Sequence, residues 1–424
     1  MSLVPSSDAW LASPLAAELT RAEGRSLVLV FLASTLGAVL SRWHLRLVLP
    51  TVVVEIVLGI LIGPEVLGIA DANVYVTFLS QFGLALLFFF AGLEVIEHHV
   101  PANTLRRGTL GWGVSLVIGL VLGLVLDLLG VDAEWWLLAV ALATTALGTL
   151  VPILSDARLL PTTLGRAVLG TGVAGEFWPI IFISVFLTSV YGALTEVLLL
   201  VGFGALVAAA ARIALQARPP RLLRILQDTL HTTGQVGVRA SIFLLALLVF
   251  FAARAGFEFV LGAFAAGLVV GLALDSPDGR VVRLRLEGIG FGFLIPVYFV
   301  VTGMNFDIDS LLTVEGLSLA ALFLGLLLVS RGASALLWLH ELGPRPTASL
   351  AFFGATGLPL IVAIVGIGSA RGAISDSVGA SLIGAGMVSV LLYPLLAMRI
   401  EKREQDTPAE RVGEVNGDAA SGQA

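Results

Sequence analysis

"TTALGTLVPIL", residues 144–154, sets three threonines, a glycine and a proline into text that is otherwise apolar for several turns on either side. An echo, "FGATGLPLIV", stands at residues 353–362. Glycine and proline interrupt the hydrogen-bond ladder of a helix, so both stretches read as helices broken near their middle. What such a break does depends on the solvent around it.

Composition identifies that solvent. The 424 residues are 58% hydrophobic and 13% charged, with a mean hydropathy of +1.00, where a soluble domain carries about 25% charged residues. The apolar text comes in blocks of about 17–25 residues, the length a helix needs to cross a bilayer. The alternation of a β-barrel is absent, and helices satisfy their own backbone groups in lipid. The fold class is therefore an all-α polytopic membrane protein with the lipid bilayer as its surroundings.

About thirteen spanning segments are expected, near 26–43, 50–69, 74–96, 109–130, 136–155, 163–191, 193–215, 237–254, 258–275, 286–304, 315–339, 347–368 and 378–399. Residues 1–25 form an N-terminal segment, 26–400 the transmembrane domain, and 401–424 a charged, disordered tail. With alternate loops assigned to one face, nineteen of the 24 Lys and Arg fall on one side. Four (Arg21, Arg25, Arg254 and Arg371) fall on the other, and Arg331 lies inside a segment. The positive-inside rule then places the N-terminus outside and the C-terminus in the cytoplasm of a cell-membrane protein. Trp112, Trp135, Trp136 and Trp338 read as interfacial belt residues.

The two broken stretches belong to a longer pattern. "EIVLGILIG" (55–63) resembles "EFVLGAFAAG" (258–267), and "LFFFAGLEV" (87–95) resembles "YFVVTGMNF" (298–306). Three matches in order, at a nearly constant offset of roughly 200–210 residues, mark an internal repeat. The pairs lie seven segments apart, an odd number, so the copies have inverted topology. Secondary transporters are built this way, with the substrate site at mid-membrane where broken helices offer half-helix ends and carbonyls. Gly148, Pro152, Gly357 and Pro359 are the expected breaks in the two crossing helices. Thr144, Thr145, Thr149 and Thr356 stand beside them.

Two charges stand deep in the apolar text. Glu176 lies within "GTGVAGEFWPIIF" (170–182), flanked by the further helix breakers Gly175 and Pro179, and Arg331 lies mid-way along segment eleven. An uncompensated charge at the bilayer centre costs at least about 2.5–3.5 kcal/mol, so the two are expected to share a polar cavity and to pair in one state. Desolvation and a neighbouring guanidinium act on a buried carboxyl in opposite senses, which suits a group that exchanges a proton for a cation. A permanent structural Glu176–Arg331 bridge is the plain alternative. Glu94, Glu97, Asp127, Glu196, Asp307 and Asp309 are expected to meet water near the interfaces. Glu55 and Glu258 are expected to snorkel towards an end.

Cysteine is absent, which removes thiol chemistry, and the five histidines lack metal-site spacing. No nucleophile–base pair is visible, so neither an enzyme nor a bound cofactor is expected, and nothing points to a nucleic-acid partner.

On these residues, and on "ILIGPEVLGI" (60–69), "FGLALLFFFAGLEV" (82–95), "LLPTTLGRAVLGTGVAGE" (159–176) and "IPVYFVVTGMNFDIDSL" (295–311), the chain resembles the monovalent cation:proton antiporter superfamily. The nearest branch is that of Kef-like and sodium/proton antiporters, and the likeness covers roughly residues 26–400. It implies exchange of Na+ or K+ for H+ by an elevator motion in a homodimer. Scaffold segments (about 26–96 and 237–304) would flank core segments (about 109–191 and 315–399), with 193–215 as a linker. It assigns Glu176 the ion- and proton-binding carboxylate and Arg331 the neighbouring charge. Gly175 stands where the family usually has a second polar residue. One carboxylate then implies electroneutral exchange. Two other readings stay open: a transport-deficient membrane sensor, or an organic-anion transporter that uses Arg331 as counter-ion.

Overall fold

The computed structural model describes residues 21–43, 50–97, 100–186, 193–216, 235–274 and 277–405. The expected segment up to residue 20, the tail beyond Gln405, and His44, His98, His99 and His231 lie outside the described residues. Among the described residues the chain is helical throughout, with one isolated bridge between Ala133 and Ile374. Nine helices there are long and apolar enough to cross a membrane. Four shorter apolar helical stretches, Thr51–Ile62, Trp135–Val151, Leu198–Ile213 and Phe259–Ala273, accompany them. This is a polytopic helical membrane protein.

The described residues fall into two compact units. The first takes Met1–Leu84 with Gly288–Ile308. It holds α1 (Arg21–Trp43), α2 (Thr51–Ile62), the beginning of α3 (Val74–Glu97) and the helix Ile295–Met304. α2 is shorter than expected. Gly63 precedes Pro64 and takes an extended conformation, as a residue before proline prefers, and the chain turns back so that Ala70 N–H reaches the Ile62 carbonyl at 3.0 Å. Gly59 and Gly303 let α2 and Ile295–Met304 touch backbone to backbone. A Cβ at either would strike the carbonyl of Val300 or of Ile56. Val30, Ala33, Val76, Val297 and Val300 fill the space around them. Glu55 does not snorkel: it is 3% exposed and lies against Gly37 of α1.

The second unit takes Ala85–Glu287 with Asp309–Ala424. Here α4 (Ala102–Leu128) packs on α5 (Trp135–Leu142) and on α7 (Thr163–Phe186). α13 (Val314–Ala335) packs on α4, on α14 (Pro344–Gly354) and on α16 (Asp376–Gln405). Between them lie α6 (Leu147–Asp156) and α15 (Pro359–Ala370). Leu150, Leu154, Val168, Trp338, Leu350 and Phe353 form one buried core. Two of the expected belt tryptophans are buried here. Trp112 is 7% exposed and stacks on Trp178 at 5.8 Å, and Trp338 lies beneath the Arg107 guanidinium. Between α7 and α13 the chain forms α8 (Ala193–Gln216), α9 (Val236–Arg254), α10 (Phe259–Ala273), the arginine-rich α11 (Pro277–Ile289), one turn of π-helix (Gly290–Leu294) and α12 (Ile295–Met304).

Candidate ion-binding site

The two broken helices are α5–α6 and α14–α15. The first opens at Ala143–Ala146 and the second at Ala355–Leu358. The strands of irregular chain meet: Ala146 N–H donates to the Thr356 carbonyl at 2.7 Å, and Thr145 Oγ1 donates to the Gly354 carbonyl at 2.6 Å. Each break thus supplies hydrogen-bond partners that the other has freed, which is how irregular backbone is tolerated at membrane depth.

The breaks do not fall on all the residues expected. Gly357 lies inside the second break and Pro359 opens α15, where its missing N–H and fixed φ suit the first helical position. Gly148 and Pro152 lie after the first break, within α6. Gly175 and Pro179 do not break α7, which stays helical through both. Pro179 has no N–H for the carbonyl four residues back, that of Gly175, and the Thr145 N–H donates to it instead at 3.2 Å. The proline marks a docking point for the neighbouring break rather than a break in its own helix.

Glu176, one residue on, faces the N-terminus of α6. Its Oε1 accepts the Leu147 N–H at 2.7 Å. The carboxylate therefore sits at the positive end of a half-helix, where first-turn N–H groups lack partners of their own. Its Oε2 is sealed from solvent and has no hydrogen-bond partner.

Arg331 is fully buried and does not pair with Glu176. Its Nε donates to the Gly354 carbonyl at 3.2 Å, one Nη to the Thr171 carbonyl at 3.2 Å, and the other to Ser115 Oγ at 3.3 Å. Gly354 is the last residue of α14, so the arginine occupies the negative end of the other broken helix. Thr171 lies five residues before Glu176 on α7, about 7.5 Å along the axis. The expected ion pair is replaced by two separate arrangements: acid at a half-helix N-terminus, base at a half-helix C-terminus.

The threonines divide. Thr144, Thr145 and Thr356 are wholly buried, and their hydroxyls donate to the carbonyls of Ala141, Gly354 and Phe352, respectively. Thr149 is partly exposed, donates to the Ala146 carbonyl, and borders Gly148, which is itself exposed. The exposed part of this region is therefore the first turn of α6.

Three participants escaped the sequence reading. Ser115 and Thr171 hold Arg331. Glu94, expected only to meet water at an interface, brings its carboxylate oxygens to 3.5 and 3.7 Å from where a Cβ on Gly148 would stand. The repeat held a signal for it, since Glu94 of "LFFFAGLEV" aligns with Asn305 of "YFVVTGMNF", polar in both copies.

Comparison with known proteins agrees with this architecture. The family model described as "Sodium/hydrogen exchanger, transmembrane" matches residues 29–398. The putative Na(+)/H(+) antiporter YjbQ of Bacillus subtilis is 28% identical over 402 residues, 91% of this chain and 64% of that protein. The Na(+)/H(+)-K(+) antiporter GerN of Bacillus cereus is 28% identical over 291 residues, 67% of this chain and 72% of its own. The K(+)/H(+) antiporter 1 of Saccharomyces cerevisiae is 25% identical over 418 residues, 87% of this chain and 46% of its own. The chain thus spans less than two thirds of the length of the first and third of these relatives. With a match that runs over nearly all of its membrane helices, the chain belongs to the sodium/hydrogen exchanger family.

Proposed function

We propose that the chain is a secondary transporter that exchanges Na+ or K+ for H+ at Glu176. The observation that carries this reading is the asymmetry of one carboxylate. Oε1 is held at 2.7 Å by the N-terminus of α6, while Oε2 is buried without a partner. A buried polar atom left unpaired is costly, and a proton or a cation relieves that cost equally well. Competition of the two for one oxygen couples their movements.

In this reading segments 109–191 and 315–399 carry the site between the membrane faces against segments 26–96 and 237–304, and the protein works as a homodimer. The N-terminus lies outside and the C-terminus in the cytoplasm. Thr149 and the carbonyls of the break complete the ion's shell, and one cation moves for one proton without net charge. Arg331 balances the end of α14 and keeps the broken helices together.

The rival readings are less well supported. A fixed Glu176–Arg331 bridge needs a pairing that the geometry does not contain, and an organic anion has no approach to Arg331, which is 0% exposed and engaged at all three donor nitrogens.

Reconstitution into proteoliposomes with a trapped pH dye tests the reading. Addition of Na+ or K+ with the membrane potential clamped is expected to drive proton efflux from wild type and none from Glu176→Gln. Flux that survives Glu176→Gln unchanged, or wild type silent to both ions between about pH 6 and 9, would sink it.

A further inference from the structure

Glu94 stands apart from the reading above, in which Glu176 alone turns over charge. It occupies the last full turn of α3, and both of its carboxylate oxygens face Gly148, at 3.5 and 3.7 Å from the vacant Cβ position. Glu176 reaches the same turn of α6 through the Leu147 N–H. Two acids therefore meet one turn of α6. Gly148 is also exposed at the protein surface, while Leu147 and Leu150 are each 0% exposed.

The arrangement has a physical cost and a chemical use. Two carboxylates around one backbone turn repel each other in a medium of low dielectric, and the Leu147 N–H satisfies only the Oε1 side of Glu176. Its Oε2 remains buried and unpartnered. A small cation bound by oxygen atoms relieves both defects at once, and cations of this kind take carboxylate and carbonyl oxygens as ligands. Gly148 has no side chain to separate the two acids. A methyl group there would touch Glu94 before it touched anything else.

We propose that Glu94 is a second cation-positioning carboxylate, one that serves the ion only from the membrane face at which Gly148 is exposed. This rests on the reading that Glu176 carries the ion and that α6 and α7 travel between the faces. Glu94 lies on α3, outside the travelling segments. When Glu176 moves to the opposite face, Glu94 stays behind and the ion is held there by Glu176 and its half-helix alone. By the alternation of segments, the face in question is the one that carries the C-terminus.

The experiment uses proteoliposomes sorted for one orientation by the accessibility of a C-terminal tag, with initial rates measured against Na+ or K+ added to each face in turn. In Glu94→Gln the cation KM at the face that carries the C-terminus is expected to rise about tenfold or more, the loss of one charge-assisted contact. The KM at the opposite face and the maximal rate stay within about twofold, and Glu94→Asp recovers part of the affinity. A KM unchanged at both faces, or raised equally at both, overturns the assignment. Wild type without flux would instead overturn the transport reading itself. Should Glu94→Gln fail to fold, Glu94→Ala, which removes the carboxylate from α3 without altering α6 or α7, is expected to give the same one-sided loss.

Discussion

The carbonyl of Gly175 accepts the N–H of Thr145 at 3.2 Å. This hydrogen bond ties the first break to the helix that carries Glu176, and two sequence features permit it. Pro179 withholds the donor that would otherwise occupy that carbonyl. The lack of a side chain at Gly175 leaves room for Thr145 to approach.

Gly175→Ala tests the fit. An added Cβ would stand 2.8 Å from both Cβ and Oγ1 of Thr145, and β-branched Thr145 has little rotamer freedom to yield. The expected loss is about 1–3 kcal/mol of stability, read as a lower melting temperature in detergent. A melting temperature equal to that of wild type would show that the contact is slack. The same crowding means that Gly175→Asp should destabilise the protein rather than create a second ion site.

The separation of Glu176 from Arg331 predicts independence. Arg331→Gln removes donors from the carbonyls of Gly354 and Thr171 and from Ser115 Oγ, and should cost about 2–4 kcal/mol. Glu176→Gln keeps the size and one acceptor oxygen. In a double-mutant cycle on unfolding the two should add to within about 0.5 kcal/mol. A coupling energy well above about 1 kcal/mol would reveal an ion pair that the geometry lacks.

In the proposed exchange, proton and cation compete for the same oxygens, and the sign of the pH effect follows. A proton on Glu176 excludes the cation, so the cation KM rises as pH falls. The slope approaches about tenfold per pH unit for one site that must be deprotonated to bind. A KM independent of pH with a pH-dependent maximal rate would place the proton on another group.

Glu258, which precedes the helix Phe259–Ala273, pairs with Arg371 at the end of α15. Arg371 is 43% exposed, so water and salt screen the pair. Arg371→Gln should change stability by less than about 1 kcal/mol. A larger loss, insensitive to salt, would mean that the pair is far less hydrated than its exposure indicates.

Length, hydropathy and the presence of glycine, proline and threonine in apolar text determined the membrane class, the approximate helices, the existence of two broken helices and a carboxylate among apolar residues. Each of these follows from local chemistry: a helix in lipid must be long and apolar, and glycine and proline weaken its hydrogen-bond ladder. Partnership was decided by the tertiary structure alone. Opposite charges in apolar text read as a pair along the chain, yet Glu176 and Arg331 each face a half-helix end, because every break leaves partial charges at helix ends and only the assembled fold brings those ends to the two side chains. Pro179 read as a break for the same reason: its effect on the carbonyl of Gly175 is local, but Thr145, which takes up that carbonyl, arrives from another helix. Glu94 looked like an interfacial acid until folding set it beside Gly148, a residue 54 positions further along the chain.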